Sequence, residues 1–203
     1  MEQYMKVLKS INRMHRELET HIREHVKPIV FPKHHLIQQE KTRCGHIYFI
    51  EKGVVKMFDS LGTIAFLKEN EFILGHINDS SPFGPHNEDP GIEALEEITA
   101  WDFTPEMITS TGKLFLEFNR HIGDMFLRGM IKFDKLNRQR GGADQAANLL
   151  DFLRQESPDL LTRLPPKEIA LFLGVSEKVC LHMMNSSVRT PGSGKHLRRN
   201  FQR

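Results

Sequence analysis

Cysteine, tryptophan and tyrosine are scarce: two, one and two in 203 residues. Cys44 and Cys180 lie far apart with no CxxC spacing, which argues against a zinc ribbon, an iron–sulfur cluster or a disulfide scaffold. Both read as buried free thiols. No apolar run approaches the ~18–20 residues of a membrane span. The start, MEQYMKVLKS, lacks the apolar stretch of a secretory signal, so a cytoplasmic protein with no membrane partner is expected. No nucleophile elbow, P-loop or dinucleotide fingerprint occurs. A zinc site needs three or four converging ligands. The pairs His21/His25 and His34/His35 offer no HExxH spacing and read as solvent-exposed, and His46 with Glu51 lacks a neighbouring His-x-His. No enzyme activity, metal or cofactor is expected. Two absences of charge are local. No Arg or Lys occurs in 69–112, and no acid follows Glu177.

What is present falls into three textures. Val7, Ile11, Met14, Leu18, Ile22 and Val26 recur at steps of three or four, a helical pattern over the first 25 residues that Pro28 and Pro32 end. From there to Phe103 the runs are HLIQQ, HIYFIEKG, VVKMFD, TIAFLK, EFILG, IEALEE and ITAWDF, split by turn signals such as Gly45, Gly53, Gly62 and Asn70. Seven short strands at this spacing predict an antiparallel sandwich or barrel. The second half is helical. Within 105–138, Phe115, Ile122, Gly129 and Leu136 fall at steps of seven, with Phe118 and Met125 three residues after the first two. This a/d seam implies packing against another helix along its length, that of a second subunit in a homodimer or, alternatively, one within the same subunit. A second stripe, Phe126, Met130 and Phe133, is expected to face the helix's own barrel. Gly141-Gly142 breaks the pattern as a natural hinge. The expected organisation is a strand domain with an N-terminal helix (1–110), a dimerisation helix (111–140) and a helical C-terminal domain (141–203).

PPKEIALFLGVSEKVCLHMM, residues 165–184, reads as a helix, a tight turn and a second helix. Pro165 or Pro166 suits a helix start. Ile169, Ala170 and Leu173 supply a buried face, and the small Ala170 lets a second helix cross closely. Gly174 sits where the turn needs a positive φ. Val175 plugs the turn, Ser176 can cap the next helix, and Val179, Cys180 and Met183 are expected to face inward. This is the logic of a helix-turn-helix. Charge agrees with it. Residues 1–140 carry 19 Lys+Arg against 20 Asp+Glu, while 141–203 carry nine against six. A basic end on a neutral body points to an anionic partner, with nucleic acid the first candidate.

A strand barrel with YFIEKGVVKMF, a long heptad helix and a C-terminal IALFLGVSEKV resemble the Crp/Fnr family of bacterial transcription regulators, in layout over nearly the whole chain. The best-matching pieces are the IxxGxV core at Ile50–Val55 and the turn at 174–176. The resemblance implies an α+β chain. It would have an N-terminal antiparallel jelly roll of the cyclic-nucleotide-binding type, a dimerisation helix carrying Phe115, Phe118, Ile122, Met125, Gly129 and Leu136, and a C-terminal helix-turn-helix. The partner would be double-stranded DNA with a near-palindromic operator. A small-molecule effector would lie around Phe72, Gly75, His76, Ser80, Ser81 and Ala94. DNA contacts fall to Ser176, Glu177, Lys178, His182, Arg189, Lys195, Arg198 and Arg199.

Two departures from the family pattern change the expectation. Cyclic-nucleotide binders place Gly-Glu and then an arginine on the cyclic phosphate. Here His76 follows Gly75, no arginine follows, and Glu88, Asp89, Glu93, Glu96 and Glu97 repel phosphate, so neither cAMP nor cGMP is expected to bind. The second helix carries Glu177, Lys178 and His182 where the family commonly places Arg, Glu and Arg, so its base reading is altered. The basic residues after Met184 form a wing or a flexible arm. The rival reading is a dimeric ligand-binding or scaffold protein that no longer reads sequence.

Overall fold

The structure is a computed structural model that describes residues 1–40, 45–74, 90–141 and 143–186. The chain divides into two compact units, Met1–Gln145 and Ala146–Arg203. Arg189, Lys195, Arg198, Arg199, Gly75, His76, Ser80, Ser81, Cys44 and Gly142 lie outside the described residues.

The first unit begins with two helices, α1 (Glu2–Ile11) and α2 (Arg16–His25), where the periodicity read as one. The stripe is broken at Asn12, whose backbone is extended (φ −155°). The Asn12 side chain accepts from the Arg13 amide at 2.8 Å and donates to Asp124 at 3.2 Å, so it competes with helical bonding. Eight strands follow among the described residues: β1 (Lys27–Phe31), β2 (Leu36–Gln38), β3 (Ile47–Lys52), β4 (Val55–Asp59), β5 (Gly62–Leu67), β6 (Phe72–Leu74), β7 (Gly91–Ala94) and β8 (Ile98–Phe103). They form two antiparallel four-stranded sheets, ordered β1-β8-β3-β6 and β2-β7-β4-β5. β1 went unread because Pro28 looked like a breaker. It is tolerated because β1 is an edge strand, where a missing N–H need not disturb the ladder.

Ile47, Tyr48, Phe49 and Ile50 of β3 are all buried, which is why this stretch reads as a continuous apolar run. Side chains alternate across a strand. Ile47 and Phe49 join Tyr4, Leu18, Ile22 and Phe103 in one cluster, with α1 and α2 covering that face. The Tyr4 ring lies 5.2 Å from Phe49 and 5.3 Å from Phe103. Gly53, after β3, holds φ +103°, and a Cβ there would stand 2.7 Å from the Glu97 carbonyl oxygen, so only glycine fits.

α3 (Pro105–Leu114) and α4 (Leu116–Gln139) replace the single helix expected over 105–138. The chain turns at Phe115 (φ −130°, ψ 98°), and Asn119 donates to the carbonyl of Gly112 at 2.9 Å across the bend.

The face of α4 assigned to a partner needs correction. Phe118, Ile122 and Met125 are buried in the cluster with α1, α2 and β3, and Leu136 is buried as well. A Cβ on Gly129 would meet Leu74 of β6 at 2.7 Å, and Phe115 sits in the bend beside His21. The heptad seam is therefore satisfied within the chain, because a sheet with helices laid on it offers an apolar groove as good as a second helix. Met130, expected to face the barrel, is 50% exposed, together with Leu116, Leu127 and Ile131.

The second unit holds α5 (Gln145–Glu156), α6 (Leu160–Arg163), α7 (Pro166–Leu173) and α8 (Glu177–Ser186). Its buried residues include Leu149, Leu150, Leu153, Leu160, Leu164, Phe172 and Cys180.

Candidate nucleic-acid interface

α7 starts at Pro166, whose fixed φ suits the first helical position, and buries Ile169, Ala170, Phe172 and Leu173. It stops at Gly174, which takes φ 69°, ψ 32°. Two bonds close the turn: the Gly174 amide donates to Leu171 at 3.3 Å and the Val175 amide to Ala170 at 3.1 Å. The second is the 6→1 bond of a Schellman motif. Ser176 Oγ accepts from the Val179 amide at 3.3 Å, which makes it the cap of α8. Each of these roles rests on a residue type that the sequence displays.

α8 buries Cys180 fully, with Met183 and Met184 half-buried. Cys180 Sγ lies 3.7 Å from Met184 Sδ, and burial followed by Glu177 pushes its thiol pKa up. This thiol is packing, not a nucleophile. Val179, expected inside, is 45% exposed. The helix leans on Cys180 and the two methionines one turn further on, so Val179 rotates outward. Arg154 of α5 donates to the Met183 carbonyl at 3.3 Å and pairs with Asp151 at 2.9 Å, tying α8 to the unit's core.

The outward face of α8 carries Glu177, Lys178, Leu181, His182 and Asn185, all exposed. Asn185 was not among the candidates read from the sequence. The step 178, 182, 185 puts it on the same face, and that periodicity was the available signal. Its amide offers the donor–acceptor pair that matches adenine in a major groove, Lys178 offers a point charge and His182 one or two ring N–H donors. Val179 and Leu181 add apolar surface of the kind that meets a thymine methyl.

In the first unit, Phe72 is half-buried on β6, whereas Ala94 is fully buried on β7 opposite Val55. The acidity read around 88–97 is partly offset. Glu93 stands directly across from Lys56 on β4, with Nζ 3.0 Å from its carboxylate, and His34 lies 3.2 Å away on the other side. Burial works against ionisation of Glu93, but Lys56 and His34 outweigh it and keep the carboxyl below its usual pKa. His21, expected exposed, is half-buried and hydrogen-bonded to Thr111 at 3.0 Å. Among the described residues no three His, Cys, Asp or Glu side chains converge as metal ligands, and no helix is long and apolar enough to cross a membrane.

No family model matches the chain, and no curated protein matches it in sequence. Solved structures do match its fold. A protein described as a Crp/Fnr-family transcriptional regulator from Eubacterium rectale aligns with TM-score 0.63 and 15% identity over 85% of this chain and 83% of that one. A CooA variant from Carboxydothermus hydrogenoformans gives 0.61 and 17% over 90% and 84%. CLP, the c-di-GMP-responsive global regulator of Xanthomonas campestris, gives 0.59 and 13% over 89% and 97%. The two antiparallel sheets followed by helices thus form an α+β fold like that of Crp/Fnr regulators, shared in architecture at low sequence identity.

Proposed function

We propose that this chain is a DNA-binding transcription regulator of Crp/Fnr type and not an enzyme. In this reading the two sheets form a jelly roll, α7 and α8 form the helix-turn-helix, and α8 is the recognition helix. The carrying observation is the face of α8: Lys178, His182 and Asn185 all exposed, on a helix whose entry is fixed by the Gly174 turn and the Ser176 cap. The shared fold supports the reading over most of the chain.

The regulator acts as a homodimer on a near-palindromic site, with half-sites about one helical turn apart. The dimer surface is the outer stripe of α4. Leu116, Gly123, Leu127 and Met130 follow heptad steps, Ile131 lies beside them, and Leu116 is 82% exposed. A Cβ on Gly123 would touch nothing within 4 Å, so a second helix can approach closely there. A second copy fits this stripe because the same pattern presented twice makes a two-stranded seam. Specificity comes from α8, and much of the affinity from phosphate contacts by Lys178, Arg189, Lys195, Arg198 and Arg199. No cyclic nucleotide serves as effector.

The test is selection of bound duplexes from a random pool by the full chain, followed by gel shifts of the winner at several salt concentrations. An enriched inverted repeat whose binding survives competitor DNA supports the proposal. A purely salt-governed, sequence-blind affinity would establish the scaffold reading instead.

A further inference from the structure

Between α1, β6 and α4 lies a cleft of about 240 Å³. Val7 and Ile11 of α1 form one wall, Phe72 and Leu74 of β6 another, and Met125 of α4 is among the residues opposite. The lining is apolar except for Asn70, Glu71, Arg128 and Lys132. The two cations there differ. Lys132 is spent on the Glu71 carboxylate and on the Phe66 carbonyl at 3.3 Å. Arg128 gives a single hydrogen bond among the described residues, to the Ser10 carbonyl at 3.3 Å on the exposed side. The lining of the apolar cleft therefore includes one guanidinium that pairs with no carboxylate among the described residues.

A second observation concerns Gly129. A glycine inside a long helix costs about 1 kcal/mol relative to alanine. Here it faces the cleft, where any Cβ would stand 2.7 Å from Leu74. The glycine lets α4 pass close to Leu74 of β6 and puts no side chain of its own into the cleft.

We propose that this cleft binds a small carboxylate with an apolar body, a medium-chain acyl carboxylate of about ten non-hydrogen atoms. The size follows from volume: an apolar cavity of about 150 Å³ takes up benzene, so 240 Å³ holds roughly ten such atoms. The chain lies against Val7, Ile11, Phe72, Leu74 and Met125, and the carboxylate takes the free edge of Arg128 in a charge-assisted, bidentate pair. Met57 and Met125 supply soft, adaptable surface suited to a flexible chain. Such a ligand bridges α1 and α4, the helix that carries the proposed dimer stripe. Binding stands apart from the regulator reading, and only its use as the effector signal rests on that reading.

The experiment is calorimetric titration of the full chain with octanoate, and with octanol as the neutral counterpart. Octanoate is expected to bind with a submillimolar Kd and octanol at least tenfold more weakly. Arg128→Ala, an exposed position, should weaken octanoate about tenfold and leave octanol unchanged. Val7→Phe, which narrows the cleft from a half-buried site, should abolish both. Absence of octanoate binding at 10 mM, equal affinity for the two ligands, or indifference to Arg128→Ala would each overturn the proposal. DNA gel shifts are not part of this readout, so failure here is separable from failure of the regulator reading.

Discussion

Gly174 and Asn185 show how much can hang on one residue. At Gly174 the backbone sits at φ 69°, and a Cβ there would meet nothing within 4 Å. Gly174→Ala therefore carries only the left-handed penalty, about 1–2 kcal/mol. The described core of the second unit is small, so denaturant unfolding should register that loss as an earlier transition for this unit. At Gly53 a Cβ would also crowd the Glu97 carbonyl, so Gly53→Ala should destabilise the first unit by more than Gly174→Ala does the second. In the proposed function Asn185 belongs to the recognition face. Asn185→Ala should cost about 1–3 kcal/mol at the selected site and relax specificity at one base position. Lys178→Ala should weaken binding to all duplexes alike and lower the salt slope by about one. Competition gel shifts with single-base variants of the site distinguish the two patterns. A uniform loss from Asn185→Ala would remove it from the base-reading set.

Among the helices, α4 concentrates most of the consequences. Its inner face holds His121, which is 1% exposed. Burial drives its pKa down from 6.5, against weaker opposing pulls from the Arg13 backbone, Glu117 and Asp124 and a small push from Arg120 in the same direction. His21 is shifted the same way, by burial and by His25. A histidine with a depressed folded pKa binds fewer protons folded than unfolded. Its stabilising contribution is complete above pH 6.5 and is lost as pH falls through the folded value. The His15–Glu117 pair nearby is exposed on the histidine side and weighs little. The thermal midpoint of the first unit should thus fall between pH 7 and pH 5.5, and His121→Leu should flatten that fall. An unchanged slope in the variant would place the pH response elsewhere. On the outer face, Leu127→Glu with Met130→Glu should give monomers in sedimentation without loss of folding, since both side chains already face solvent. The two faces also show where sequence reading fails. The heptad step correctly marked Phe118, Ile122 and Met125 as buried. It could not tell whether they were covered by a second subunit or by the chain's own α1, α2 and β3, because periodicity specifies a buried face and not what buries it.

At the scale of the whole chain, local chemistry was legible and partners distant in sequence were not. The turn from Ala170 to Ser176 was readable because each residue acts on neighbours within a few positions. Strand β1 was missed because the edge position that makes Pro28 acceptable depends on β8, some seventy residues away. The loop acidity was overstated for the same reason, since Lys56 reaches Glu93 only through pairing of β4 with β7. That cation is engaged, so it does not restore a phosphate site. Cyclic AMP at about 1 mM should leave the melting temperature unchanged, whereas a micromolar binder would add about 4 kcal/mol at that concentration. Positive charge is instead concentrated at the other end of the sequence. After Glu177 there are six basic residues and no acid. Counterion release makes the logarithm of DNA affinity fall with the logarithm of salt by about 0.9 per phosphate neutralised. Replacing Arg198 and Arg199 by alanine should lower that slope by up to about 1.8 while the preferred sequence stays the same. If the preferred sequence changes as well, these arginines read bases, and specificity is not confined to α8.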